Sequence, residues 1–367
     1  MKSENRARIV TWRLWPAVLM AGSILLVRLP AAAASTVDPA AGMPVASCAS
    51  GDELQLPVSS TVEDDGWIRV NYEIDGVKGY QELPPIGFVP SSATDTILAR
   101  HHLPVRPAAG SDLAAWTSKV SGLWWNRSRG LCKDPINKYT SYAAYNQIWG
   151  GVEVRSQPAY LFRGVEANFR QPQIVNGYCQ SQATVSSWVG LGGDTNSLQD
   201  FFQTGTGIWA NGSIRAWYEA EVNGQYYDAV NWPFTVSPND SMFAQVSYSS
   251  VNFTMYFLEW NDTTNQFADY NMDVSGFLPA IGTIPEVSAE WIDERRSAPL
   301  LNYGATHWSA MKVQHSNSYP TWTNAYPEPT KWNISITTNG LGSGGTTEST
   351  TSGITSSNTM SNTWKAC

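Results

Sequence analysis

Histidine, cysteine and charge are all scarce in this chain. Its 367 residues include only four histidines, His101, His102, His307 and His315, and charged residues make up 15% of the total. No His-Glu-x-x-His run is present to hold zinc on a helix, and no Gly-x-Ser-x-Gly elbow presents a nucleophilic serine. The four cysteines, Cys48, Cys132, Cys179 and Cys367, lack the close pairs of a structural zinc site. Neither a metal ion nor another cofactor is expected. Long basic blocks are missing too: 23 basic and 31 acidic residues leave a net charge of -8, which disfavours a nucleic-acid partner.

The one extended apolar stretch is at the amino end. Arg6, Arg8 and Arg13 precede the mostly apolar run from Leu14 to Val27, and Pro30 and four alanines follow it. Positive charge, apolar run and small residues in that order predict an export signal over residues 1–34 and a secreted, extracellular product. Arg28 stops the run short of the roughly 20 residues of a spanning helix, so no stable membrane insertion is expected after cleavage. An oxidising destination permits disulfides, and four cysteines allow three complete pairings. Cys132 with Cys179 is the favoured pair, because both flank the start of the main domain. Asn126, Asn211, Asn239, Asn252, Asn261 and Asn333 stand in glycan acceptor patterns, and any that carry a glycan must face solvent. A monomer is expected.

Three regions follow the leader. Residues 35–110 contain the acidic patch Glu63-Asp64-Asp65 and the alternating segment Trp67 to Tyr72, and read as a prosegment or small accessory β unit. Residues 111–329 repeat short apolar or aromatic runs between Gly, Asn, Asp and Pro, with little helical spacing. Along one such run Tyr256, Leu258 and Trp260 fall on the face opposite Met255, Phe257 and Glu259; along another, Val246, Tyr248 and Ser250 share a face. This pattern predicts an all-β fold, an antiparallel β-sandwich or barrel. Residues 330–367, rich in Thr, Ser, Gly and Asn, read as an exposed flexible tail, which Trp364 and Cys367 could secure by folding back.

Several motifs bear on chemistry. Trp149-Gly150-Gly151, Gly164 to Phe169, Gln171-Pro172, Trp188-Val189-Gly190, Phe202-Gln203-Thr204-Gly205, Trp217-Tyr218-Glu219 and Ala289-Glu290-Trp291-Ile292 occur in that order. Their order resembles that of the glutamic peptidases, also called eqolisins, over roughly residues 145 to 310. The resemblance implies a β-sandwich of concanavalin A-like or jelly-roll type whose concave face binds an unfolded or extended polypeptide. It also implies Gln203 and Glu290 as the catalytic pair of a metal-independent acid endopeptidase. Trp188, Tyr218, Glu219 and Asp194 are then candidates for lining or supporting the groove. Family members often carry an aspartate where this chain has Gly192, with Asp194 following closely.

The chemistry divides naturally between the pair. An ionised glutamate accepts a proton from water as it attacks the scissile carbonyl and returns it to the departing amine. A glutamine amide donates to the oxygen as negative charge develops there. The competing reading is a non-catalytic carbohydrate-binding sandwich that uses aromatic rings for stacking. Among the 17 Trp and 16 Tyr residues, many serve ordinary β cores, so aromatic content does not choose between the two.

Overall fold

The computed structural model describes residues 38–366, except 86, 104–105, 108–109, 111–112, 115, 118–123, 126–127, 135–147, 176–183, 194–199, 223–224, 278–286, 298–299, 319 and 339–344. The expected export signal, Asn126, Cys179, Asp194 and Cys367 lie outside the described residues.

The strands, in chain order, are β1 (Glu53–Gln55), β2 (Ser59–Val62), β3 (Ile68–Ile74), β4 (Val77–Leu83), β5 (Trp124–Trp125), β6 (Leu131–Lys133) and β7 (Trp149–Arg155). There follow β8 (Phe162–Arg170), β9 (Thr184–Gly192), β10 (Asp200–Trp209), β11 (Ile214–Val222), β12 (Gln225–Asn231), β13 (Ser241–Ser249) and β14 (Thr254–Asn261). The last are β15 (Gln266–Asp273), β16 (Ser288–Ser297), β17 (Ala305–His315), β18 (Trp322–Asn324), β19 (Lys331–Ile334), β20 (Ser349–Thr351) and β21 (Met360–Trp364). A short helix, α1 (Asp95–Arg100), follows β4; its first turn is capped by Thr94, whose hydroxyl accepts from the Ile97 N–H. Among the described residues no helix is long and apolar enough to cross a membrane.

Two sheets pack face to face as an antiparallel sandwich. One has nine strands in the order β1-β6-β12-β11-β10-β9-β16-β7-β19; the other has twelve, running β2-β3-β4-β15-β14-β13-β8-β17-β21-β20 with β18 and β5 attached at its side. Alternation explains why they meet. On β14, Met255 and Phe257 enter the core between the sheets, while Tyr256, Leu258 and Trp260 join a separate cluster with Trp67, Leu98, Leu103 and Trp116. Phe202, Tyr218, Ala289 and Trp291 of the nine-stranded sheet face Val165, Val246, Phe257 and Tyr270 of the other across the main core.

Strands lie on both sides of the expected regional boundaries. The segment before residue 110 is β-rich but does not stand apart, since β4 pairs with β15 and β1 pairs with β6, adding strands to both sheets. Where a flexible tail was expected, the described residues from 330 onward form strands. β19 pairs with β7, β21 pairs with β17, and the Asn362 side-chain amide donates to the Gly150 carbonyl at 2.9 Å. Polar composition misleads here because the strands borrow existing sheet edges, and buried Asn362 and Ser349 need partners rather than apolar surface.

The disulfide is corrected as well. Cys132 pairs with Cys48, at a Cα separation of 5.3 Å, and so not with Cys179. Pairing of Leu54 with Cys132 and of Val45 with Arg129 brings the early chain alongside β6, which places Cys48 within bridging distance. Of the acceptor asparagines, Asn211, Asn239, Asn252 and Asn333 are exposed. Asn261 is buried and donates to Asp240 and the Thr235 carbonyl, which removes it from the set able to carry a glycan in the folded chain.

Candidate active site

Register in the nine-stranded sheet aligns the two residues on which the chemistry would depend. Gln203 of β10 and Glu290 of β16 each lie directly across from Gly190 of the intervening β9. The line continues to Glu219 of β11 beyond Gln203, and to Glu153 of β7 and Trp332 of β19 beyond Glu290. Residues opposed in this way share a face. Two strand spacings, about 10 Å, separate the backbones of Gln203 and Glu290. Gly190 leaves no side chain of its own between them.

That face is the one turned away from the other sheet. Phe202 enters the main core, whereas Phe201 packs with Trp149, Trp188, Trp217, Ile292 and Ile334 in a second cluster. Gln203 is two residues from Phe201, and Glu290 two from Ile292, so both belong with this cluster. A Cβ at Gly190 would lie 2.8 Å from the Trp188 ring and 2.9 Å from the Phe201 ring. Aromatic edges thus fill the position between amide and carboxylate. The Trp188 indole N–H donates to Glu294 Oε2 at 3.0 Å, fixing the ring.

Of the other sequence candidates, Glu219 joins the pair: its Oε2 accepts from Gln203 Nε2 at 2.9 Å. Trp188 also lies on this face, buried beneath it. Tyr218 does not. Its ring lies in the core between the sheets, 4.9 Å from Phe257 and 5.0 Å from Tyr270 between ring centres. Strand alternation is the reason, because the neighbour of Glu219 in the chain must point to the opposite side. The same alternation puts Trp217, two residues from Glu219, on the site face, a residue that alternation could have singled out in place of Tyr218.

The site is deeply buried and rich in acids. Gln203 is 4% exposed and Glu290 and Glu153 are fully enclosed. Burial pushes the Glu219 carboxyl up to about 8; the Arg296 guanidinium, 3.8 Å away, and the Gln203 amide oppose that rise, while Glu294 and Asp228 add to it. Burial likewise raises Glu294. Arg296 is stacked over Trp217, 4.3 Å from the ring centre. Gln203 Oε1 is buried with no hydrogen-bond partner among the described residues. Sequence reading missed Glu153, Arg296 and Trp332, whose place in the site depends on strand pairings rather than on any local motif. Trp332 is 46% exposed at the end of the line, with the Arg155 guanidinium 3.7 Å from its ring centre. Among the described residues there is no group of three or more His, Cys, Asp or Glu placed to hold a metal ion.

The model of the Peptidase A4 family matches residues 147–363, a span that includes β19 to β21. Among solved structures, Scytalido-glutamic peptidase with a peptide-based transition-state analogue is 20% identical, with 60% of this chain and 98% of that one covered and a TM-score of 0.46. SCP-B, a member of the eqolisin family of peptidases in complex with the tripeptide Ala-Ile-His, gives 20% identity, the same two coverages and a TM-score of 0.45. Aspergilloglutamic peptidase from Aspergillus niger is 22% identical, with 50% of this chain and 99% of that one covered and a TM-score of 0.37. No curated protein matches the chain.

Proposed function

We propose that this chain, which belongs to the Peptidase A4 family, hydrolyses peptide bonds with Glu290 as general base and acid and Gln203 as the donor to the developing oxyanion. The observation that carries the reading is the common register of both residues with Gly190, which puts an amide and a carboxylate on one face with no side chain from the intervening residue itself.

In this reading Glu290 takes a proton from the attacking water, the water adds to the scissile carbonyl, and the proton passes to the leaving amine. Gln203 has two amide hydrogens. One is engaged by Glu219, leaving the second for the oxyanion and the buried Oε1 for the water. With its carboxyl pushed up to about 8, Glu219 is protonated under acid conditions and adds no negative charge beside the base. An extended polypeptide crossing the strands along this line would reach Trp332, whose exposed ring suits an apolar substrate side chain. The export signal read from residues 1–34 accords with work outside the cell, as an acid peptidase acting on unfolded protein.

The test is cleavage of denatured protein between about pH 2 and pH 8, with and without chelator. Acid activity that survives chelation and is lost in folded Glu290→Gln and Gln203→Ala is the expected result. Normal turnover by either folded variant would rule out the pair.

A further inference from the structure

A second concavity lies on the outer face of the twelve-stranded sheet, on the other side of the sandwich from Gln203 and Glu290. Its volume is about 670 Å³, within the range of small-molecule sites. Three transverse rows form its floor. Trp260, Phe243 and Asn168 make the first, Leu258, Gln245, Glu166 and Lys312 the second, and Ser247, Gly164 and Gln314 the third. Trp322 of β18 pairs with Gln314 and folds inward. A Cβ on Gly164 would lie 2.6 Å from its ring, so the glycine is what lets the indole come this close to the sheet. Ala99, His102 and Leu103, at and after the end of α1, form the facing wall.

The polar groups in this trough constrain what it can hold. Lys312 donates to Glu166 at 2.9 Å, so the two charges on the floor cancel. Gln245 donates to Ser247, and the Gln314 amide N–H donates to the Pro320 carbonyl. Asn168 lines the trough and is half-buried. A purely apolar occupant would cover its amide without a hydrogen bond, at a cost of about 1–3 kcal/mol. A charged occupant finds no net opposite charge on the paired floor. A peptide cannot add as a strand, because β8, β13, β14 and β17 are already paired on both sides. Sugars offer what remains, namely C–H faces for an indole and hydroxyls for side-chain amides.

We propose that this trough binds an uncharged oligosaccharide, with Trp322 as the stacking platform and Gln245 and Asn168 as hydroxyl partners, independently of the peptide-cleaving face. The experiment is titration of the full chain with cellohexaose, laminarihexaose, chitohexaose and maltohexaose, followed by calorimetry and tryptophan fluorescence. At least one should bind saturably, and Glu290→Gln should bind it as the unaltered chain does, whether or not that variant still cleaves peptides. Trp322→Ala should weaken binding by about tenfold or more. Asn168→Leu, which keeps the volume but removes the amide, should weaken it in the same direction, and circular dichroism identifies whichever variant is folded. The inference is overturned if none of the four binds up to about 10 mM, or if a folded variant of either kind binds normally. Occupation by unstructured peptides that no sugar displaces would overturn it equally.

Discussion

Gln203 and Glu219, sixteen residues apart in the chain and opposite one another on β10 and β11, share a buried hydrogen bond of 2.9 Å from the glutamine amide to the glutamate carboxyl. That bond fixes which end of the amide faces which neighbour, and so presets the donor that an oxyanion would use. Glu219→Ala is expected to lower kcat by about 10- to 100-fold with little change in KM, because the loss falls on the transition state. Glu219→Gln keeps an uncharged acceptor and should restore most of the rate. Steady-state kinetics at acid pH beside thermal melts would check this; a fall in stability with unchanged kcat would mark Glu219 as merely structural.

Gly190 tests the geometry from the other side. A methyl group there meets the Trp188 and Phe201 rings at under 3 Å and lies between Gln203 and Glu290. Gly190→Ala should cost about 1–3 kcal/mol of stability through overpacking. It should also depress kcat in the molecules that remain folded, which denaturant titration combined with activity per folded molecule would show.

Stability should fall as pH rises. Burial holds the Glu219 carboxyl at about 8 and the Asp293 carboxyl at about 7, both above their unfolded values, and raises Glu259 and Asp269 in the same direction. A group whose folded pKa is raised supports the fold fully below its unfolded pKa and loses that support as pH climbs through the folded one. The loss therefore begins above about pH 4 and is complete for these two near pH 7–8, at up to roughly 1.4 kcal/mol per pH unit for each group. Urea titrations from acid to neutral pH would measure it. Asp293→Asn, which keeps an acceptor oxygen for Ser187 and Thr306, should flatten the curve between about pH 4 and pH 7 and leave the last part of the fall to Glu219.

The Cys48–Cys132 bridge spans the region read as a prosegment. If that region is cut during maturation between the two cysteines, the pieces should stay linked and separate on gels only after reduction. In the uncut chain, replacing both cysteines with serine should cost about 2–4 kcal/mol, measurable by denaturant titration.

Most of what depends on near neighbours was legible in the sequence. The opposite faces of Met255 and Tyr256 and the prevalence of strands follow from a side-chain period of two, whereas Gln203 and Glu290 were singled out by the resemblance of their ordered motifs to a known family. The same period, applied strictly, would have separated Tyr218 from Glu219 and selected Trp217. What lies beyond local reach is pairing. Only the tertiary structure brings Glu153 and Trp332 into line with Glu290, joins Cys132 to Cys48, and turns the polar carboxy-terminal stretch into strands. Which strand lies beside which is settled by burial and by satisfaction of backbone hydrogen bonds across the whole sheet, and no local run of residues encodes that choice.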